Sequence, residues 1–329
     1  MKLPFLIILL LSFSMSLLIT KRVQVLALNK SLIDIPNERS SHQVPTPRGG
    51  GIGFTAAFLI ILMLINWLPD INLSPNLFLF LVITPLAIVG FLDDRYNLPS
   101  GLRYTIQLAS ALLTVWHYGN FPQPWLDSLG IGGLLLALGL TAIGFTALVN
   151  FYNFMDGLDG FITTITTIQL SFIALFLNQP IWWLFIAALL GFLYWNWSPA
   201  KIFMGDVGST VLGAVVAIAL IQSPTTELAW SALAITLPVT ADTIYTLIIR
   251  LRRGENIFLA HRSHLFQRLH QAGWSHAQVT VAYGVLTITI AALVFLGKMW
   301  GALAAVGLIL LLIPVTEFYL KKVHSSVQN

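Results

Sequence analysis

The N-terminal stretch MKLPFLIILLLSFSMSLLITKR, residues 1–22, decides how the rest of the chain is read. It has the charged start and apolar run of a signal peptide. It lacks a convincing small-x-small cleavage site, however, and Lys21 and Arg22 follow the run directly. It therefore reads as an uncleaved first membrane span with its N-terminus outside. The composition agrees. Charged residues are 9% of the chain, against about a quarter in a soluble domain, and the mean hydropathy is +0.83. At about 20 residues per span, most of the 329 residues lie in lipid. The expected fold is all-α, a polytopic integral membrane helical bundle forming one domain over 1–329.

Apolar runs at 3–20, 51–68, 76–92, 104–118, 131–149, 161–178, 181–197, 208–222, 230–249, 279–297 and 300–320 predict eleven transmembrane helices. The alternation places connectors near 21–50, 93–103, 150–160, 198–207 and 250–278 on one side. Of the 17 Lys and Arg, only Lys2 and Lys298 fall on the other side. The positive-inside rule makes the charged side cytoplasmic, with the C-terminus there as well. The protein is thus expected in the cell's inner (cytoplasmic) membrane, with lipids around it. A formal charge of +4 located in these loops argues for no nucleic-acid partner. The absence of cysteine excludes disulfides, thiolate metal sites and Cys nucleophiles. Trp116, Trp125, Trp195 and Trp197 sit at span ends, as aromatic anchors do.

Nearly all reactive side chains fall in the five cytoplasmic connectors. A charged residue at a membrane surface is most often simply solvated, so the argument rests on combinations. PRGGGIG, 47–53, lacks the G-x-x-x-x-G-K-[ST] pattern and follows no strand. It reads as a glycine hinge entering a helix, with backbone N–H groups near an anion. Adjacent Asp93 and Asp94 repel unless a cation is close, and Mg²⁺ takes hard oxygen ligands from few carboxylates. Asp206 precedes a helix in FMGDVGST, an anion-facing position. His261 and His264, spaced to share a helix face, combine with Arg262 and Arg268 into a pyrophosphate-holding cluster rather than a zinc site.

Asp242 lies eight residues before Arg250, roughly 12 Å deeper along a helix. It is either a functional intramembrane carboxylate or the acceptor of structural bonds from Thr and Tyr groups. NFYNFMDGLDG, 150–160, gathers Asn150, Asn153, Asp156 and Asp159. On a continuous helix Asn150 and Asp159 fall on opposite faces. All four can serve one place only if the helix breaks, and Gly157 and Gly160 are placed to break it.

The ordered motifs DxPxxRSxHxxPTPRGGG (34–51), DD (93–94), NxxNxxDGxDG (150–160), FMGDxGS (203–209) and HRSHLFQRL (261–269) resemble the polyprenyl-phosphate N-acetylhexosamine-1-phosphate transferases of glycosyltransferase family 4. The resemblance implies ten or eleven transmembrane helices and a cytoplasmic active site. It also implies transfer of a sugar 1-phosphate from a UDP-sugar to a polyprenyl (undecaprenyl) phosphate, with release of UMP and a need for Mg²⁺. By resemblance Asp206 and Asn153 hold Mg²⁺. Asp93 orients or deprotonates the acceptor phosphate, or acts as a nucleophile, and Asp94 supports it. Asp156 and Asp159 face the uridine or the metal's surroundings. Arg39, His42, Arg48, Asn150, His261, Arg262 and His264 bind substrate.

The last motif lacks the histidine run of the peptidoglycan-precursor branch and looks more like the branch that starts O-antigen or capsular repeats. A UDP-N-acetylglucosamine enzyme for teichoic acid or enterobacterial-type glycans is the alternative within the class. Asn97 stands where a third acid often sits. A secondary transporter is the alternative from another class, and it requires acids dispersed near the midplane. A homodimer is left open.

Overall fold

The computed structural model describes residues 3–30, 32–36, 41–42, 44–66, 77–257, 259 and 261–328. Its helices are α1 (Leu3–Asn29), α2 (Gly51–Ile65), α3 (Phe78–Tyr96), α4 (Ser100–Tyr118), α5 (Gly130–Phe154), α6 (Phe161–Phe176), α7 (Trp182–Asn196), α8 (Asp206–Ile221), α9 (Thr226–Leu233), α10 (Leu237–Arg252), α11 (Leu265–Gln271) and α12 (His276–Gln328). Each of the eleven apolar runs overlaps a helix. The run at 230–249 is shared by α9 and α10, which join through a 3₁₀ turn, with Pro238 in the first turn of α10, where its missing N–H costs nothing. The last two runs both lie in α12, which breaks at Lys298 (φ 44°). Gly301 lies against the Leu293 carbonyl, although eight residues of continuous helix would separate them by roughly 12 Å. The chain therefore doubles back at the break.

Leu3–Asn29, Pro124–Phe154, Thr226–Arg252 and His276–Val323 are long and apolar enough to cross a membrane on their own. The outer surface fits lipid: Leu296 is 86% and Ile131 80% exposed, which a water-facing helix would not favour. α8 is the opposite case. It is apolar all round and buried from Val211 to Ile221, packed against α2, α3, α5 and α6. The helices that carry polar motifs thus surround one central post. α1 runs nine residues past its predicted end because 21–29 keeps good helix formers beyond the lysine and arginine.

The only strands among the described residues are β1 (Ile33–Asp34) and β2 (Thr46–Pro47), an antiparallel pair with Ile33 opposite Pro47. This ribbon folds the first connector back on itself. The glycines that follow extend the ladder rather than meeting an anion. Gly50 and Gly51 donate their N–H groups to the carbonyls of Phe203 and Met204, and Phe203 N–H donates to Pro47. The expected anion nest at PRGGGIG is therefore not formed, because its donors are spent on the FMGD loop.

Candidate active site

Asp93 and Asp94 end α3, and helical geometry separates neighbours by about 100°, so the two carboxylates meet different partners. Asp93 Oδ1 accepts the Leu98 N–H at 2.7 Å, and its Oδ2 lies 2.6 Å from Arg103 Nη1 on the first turn of α4. Asn97 closes α3 in the left-handed conformation (φ 50°), which asparagine tolerates, and donates its N–H to the Asp93 carbonyl. Asp94 turns to α8. It accepts the N–H of Asp206 at 3.1 Å and of Val207 at 3.4 Å, satisfying orphan donors at the helix start. Arg48 donates to the Asp94 carbonyl. Burial pushes the Asp94 carboxyl up to about 6, against the Asp206 N–H and the Arg48 charge.

Asp206, the first residue of α8, lies between these groups. Its Oδ1 accepts from Asn153 Nδ2 at 2.9 Å, and Arg103 Nη1 is 3.5 Å from its Oδ2. Asn153 also donates to Ser209 Oγ at 3.0 Å. Burial, contact with Asp93 and the charge of Asp94 push the Asp206 carboxyl up to about 8. Asp93, Arg103, Gln107, Asn150, Asn153 and Asp206 line a chamber of about 20 Å³, room for one water or one small ion. Among the described residues no three His, Asp or Glu side chains converge as a complete metal cage. Mg²⁺ needs no such cage, because it keeps waters and substrate oxygens around one or two protein ligands. Crowded carboxylates that resist ionisation without a cation fit that ion.

On its other side Asp206 borders a cavity of about 280 Å³. The wall opposite comes from the turn between α5 and α6. α5 ends at Phe154, and Gly160 takes φ +66° before α6, so the helix does break within 150–160. The break sends Asn153 to the small chamber and Asp156 and Asp159 to the large one. Burial, with the charges of Asp94 and Asp159, pushes the Asp156 carboxyl up to about 7. Burial also pushes Asp159 up, but the hydrogen bond and charge of His276 and the Ala200 N–H outweigh it and hold its carboxyl below the usual range. His276 Nδ1 lies 3.2 Å from Asp159 Oδ2, and its Nε2 lies 3.2 Å from the Ser41 carbonyl. Arg48 brings positive charge to the same cavity, and His42 lies there 3.9 Å from Asp34 and edge-on to Phe203.

A family model described as glycosyl transferase family 4 matches residues 76–224, which hold both Asp residues of α3, the 150–160 turn and Asp206. Over those residues the chain is similar to glycosyl transferase family 4. Among the relatives of this chain is the "Probable undecaprenyl-phosphate N-acetylglucosaminyl 1-phosphate transferase" of Bacillus subtilis, 28% identical over 79% of this chain and 75% of the relative. The undecaprenyl-phosphate alpha-N-acetylglucosaminyl 1-phosphate transferase of Escherichia coli K12 is 29% identical over 81% of this chain and 76% of its own. The phospho-N-acetylmuramoyl-pentapeptide-transferase of Deinococcus radiodurans is 29% identical over 74% of this chain and 82% of its own.

Not every residue singled out from sequence reaches a chamber. Arg39 lies outside the described residues. Asn150 lines the small chamber and donates to Gln107 Oε1 at 2.7 Å. His261, Arg262 and His264 line neither chamber. They do not share a helix face either, since α11 starts only at Leu265. His264 is buried with its Nδ1 3.5 Å from Asp242 Oδ1. Asp242 accepts the N–H groups of Leu265 at 2.9 Å and Phe266 at 3.1 Å, the Tyr283 hydroxyl at 2.7 Å and the Thr246 hydroxyl at 3.2 Å. It is the remote cap of α11, and its intramembrane position serves structure. Gln267 of that helix reaches the large cavity in place of the histidines.

Arg103 and His276 are the site residues that sequence reasoning passed over. Arg103 is ten residues from Asp93 across a helix end, and His276 lies 117 residues from Asp159. Only a cationic residue in the first turn of α4 hinted at the first. His276→Gln removes the charge that keeps Asp159 ionised but leaves its burial, so the carboxyl pKa rises. A depressed carboxyl contributes above its unfolded pKa and is lost as pH falls through the folded value. The acid limb of the variant's activity profile is therefore expected at higher pH than that of the parent enzyme. An unmoved limb in a pH series of the activity would refute the pairing.

Proposed function

We propose that the chain transfers an N-acetylhexosamine 1-phosphate from a UDP-sugar to a membrane polyprenyl phosphate and releases UMP, on the cytoplasmic side of the cell membrane. The observation that carries this reading is Asp206. One carboxylate is shared by an ion-sized chamber and a larger cavity bearing Arg48, His42 and His276. A diphosphate donor and a phosphate acceptor repel, so a site that joins them needs positive groups on both sides of the reacting phosphorus. The cavity, at about 280 Å³, is close to the scale of small-molecule sites. Fifteen of the 17 Lys and Arg on the motif-bearing side support the cytoplasmic orientation.

In this reading Arg48, His42 and His276 face the donor's diphosphate, with Asp156 and Asp159 toward the uridine. Mg²⁺, held by Asp206 and Asn153, would neutralise charge on the diphosphate. The acceptor phosphate approaches the side of Asp93 and Arg103. Its oxygen attacks the sugar-bearing phosphorus, the bond to the UMP phosphate breaks, and UMP leaves with that electron pair. The acceptor needs little help losing a proton, since the second pKa of a phosphate monoester is about 6. Asp93 has one oxygen on Leu98 N–H and the other on Arg103, which suits it to orienting rather than to covalent attack.

The test is UMP release by purified protein given undecaprenyl phosphate, Mg²⁺ and a panel of UDP-sugars. Turnover is expected with N-acetylated hexosamine donors. No release with any of them would overturn the assignment. The names of the relatives from Bacillus subtilis and Escherichia coli favour UDP-N-acetylglucosamine. The missing histidine run in 261–269 favours the O-antigen or capsule branch with N-acetylated or deoxy sugars. The same panel separates the two.

A further inference from the structure

The middle of α1 and the loop after α7 build a cationic patch that lines neither chamber. Lys21 lies eight residues before α1 ends at Asn29, so about 12 Å short of that end. Lys201 lies in the loop leading to α8. Both ammonium groups converge on one indole: Lys21 Nζ is 4.9 Å and Lys201 Nζ 5.4 Å from the Trp195 ring centroid, and Lys201 is also 5.8 Å from Tyr194. The arrangement is braced on every side. Lys21 donates to Gln24 Oε1 at 2.9 Å, Gln24 donates to the Lys201 carbonyl at 2.8 Å, and Trp195 Nε1 donates to the Leu17 carbonyl at 3.0 Å.

Two like charges drawn to one ring repel, and an exposed aromatic face offsets only part of that. Among the described residues no acidic side chain pairs with either lysine. The neighbours are apolar and outward: Leu18, Val25, Leu26 and Tyr194 are all exposed. Cations set among lipid-facing side chains are best met by an anion that is itself carried on a lipid. We propose that Lys21, Lys201 and Trp195 bind the phosphate headgroup of an anionic phospholipid. The occupant is a bulk phospholipid rather than the acceptor, because α1 packs on α2 and α7 while the chamber at Asp93 is bounded by α3, α4, α5 and α8.

The experiment places the full chain in nanodiscs of equal parts phosphatidylcholine and phosphatidylglycerol and counts retained lipids by native mass spectrometry. The parent protein is expected to keep phosphatidylglycerol in preference to phosphatidylcholine. Lys21→Ala and Lys201→Ala should each weaken retention about fivefold, and the double variant about 25-fold. Lys21→Arg with Lys201→Arg, which keeps charge and stacking, should retain the lipid. Lys321→Ala with Lys322→Ala, an equal loss of charge elsewhere, should change nothing. Unchanged retention in the Lys21/Lys201 double alanine variant would overturn the proposal. So would an equal loss in the Lys321/Lys322 control, which would mean general attraction to an anionic surface. Displacement of phosphatidylglycerol by an equal amount of undecaprenyl phosphate would assign the patch to the acceptor and overturn it too.

Discussion

Asp206→Ala is expected to abolish sugar-phosphate transfer at every Mg²⁺ concentration tried, a loss of at least ~10³-fold in rate. The side chain is the one carboxylate bordering both chambers, and it orients Asn153 through a 2.9 Å hydrogen bond. Without it the small chamber keeps Asp93, but that carboxylate is already committed to Arg103 and the Leu98 N–H. Raising Mg²⁺ compensates for weak binding, not for a missing ligand, so no rescue should appear. The fold should survive, because Asp94 caps α8 through backbone N–H groups that alanine retains. UMP release and thermal unfolding of the same preparation check both halves. A near-normal rate would remove Asp206 from the metal site.

Gly51→Ala is expected to be strongly destabilising. A Cβ there would stand 2.4 Å from Gly208 Cα and 2.5 Å from Gly208 N. Both obstacles are backbone, so no side chain can swing aside. Either α2 or α8 must move, at the upper end of overpacking costs, about 3 kcal/mol. Asp206 lies two residues before Gly208, so the shift also displaces the proposed metal ligand and activity should fall with stability. Gly101→Ala is the contrast, because nothing lies within 4 Å of that position. It should be neutral or slightly stabilising. Thermal unfolding of the two variants in detergent decides the matter, and equal midpoints would contradict the close approach.

The membrane fold was legible because its signals are local. Twenty apolar residues declare a span without reference to anything else, and the charge bias of the loops orders the spans. The break inside 150–160 was legible for the same reason, since glycine at 157 and 160 weakens a helix wherever it sits. Motif order also pointed to loops that meet: Asp34, His42, Arg48, Asp94, Asp156, Asp159 and Asp206 converge on one cavity.

What the sequence by itself supplied, then, was the polytopic helical character of the chain, the loops that carry the polar motifs and the family resemblance. Only the tertiary structure decided what each polar side chain does there. Asp93 and Asp94 are neighbours in sequence, yet one meets Arg103 and the other the start of α8. His264, a residue of a motif, pairs with a buried carboxylate at the head of α11, while His276, outside every motif, holds Asp159. The glycines at 50 and 51 give their N–H groups to a loop more than 150 residues away. A side chain's direction follows from helix rotation and from which distant backbone groups still need a partner. Both are set by packing across the bundle, which no local pattern of residues records.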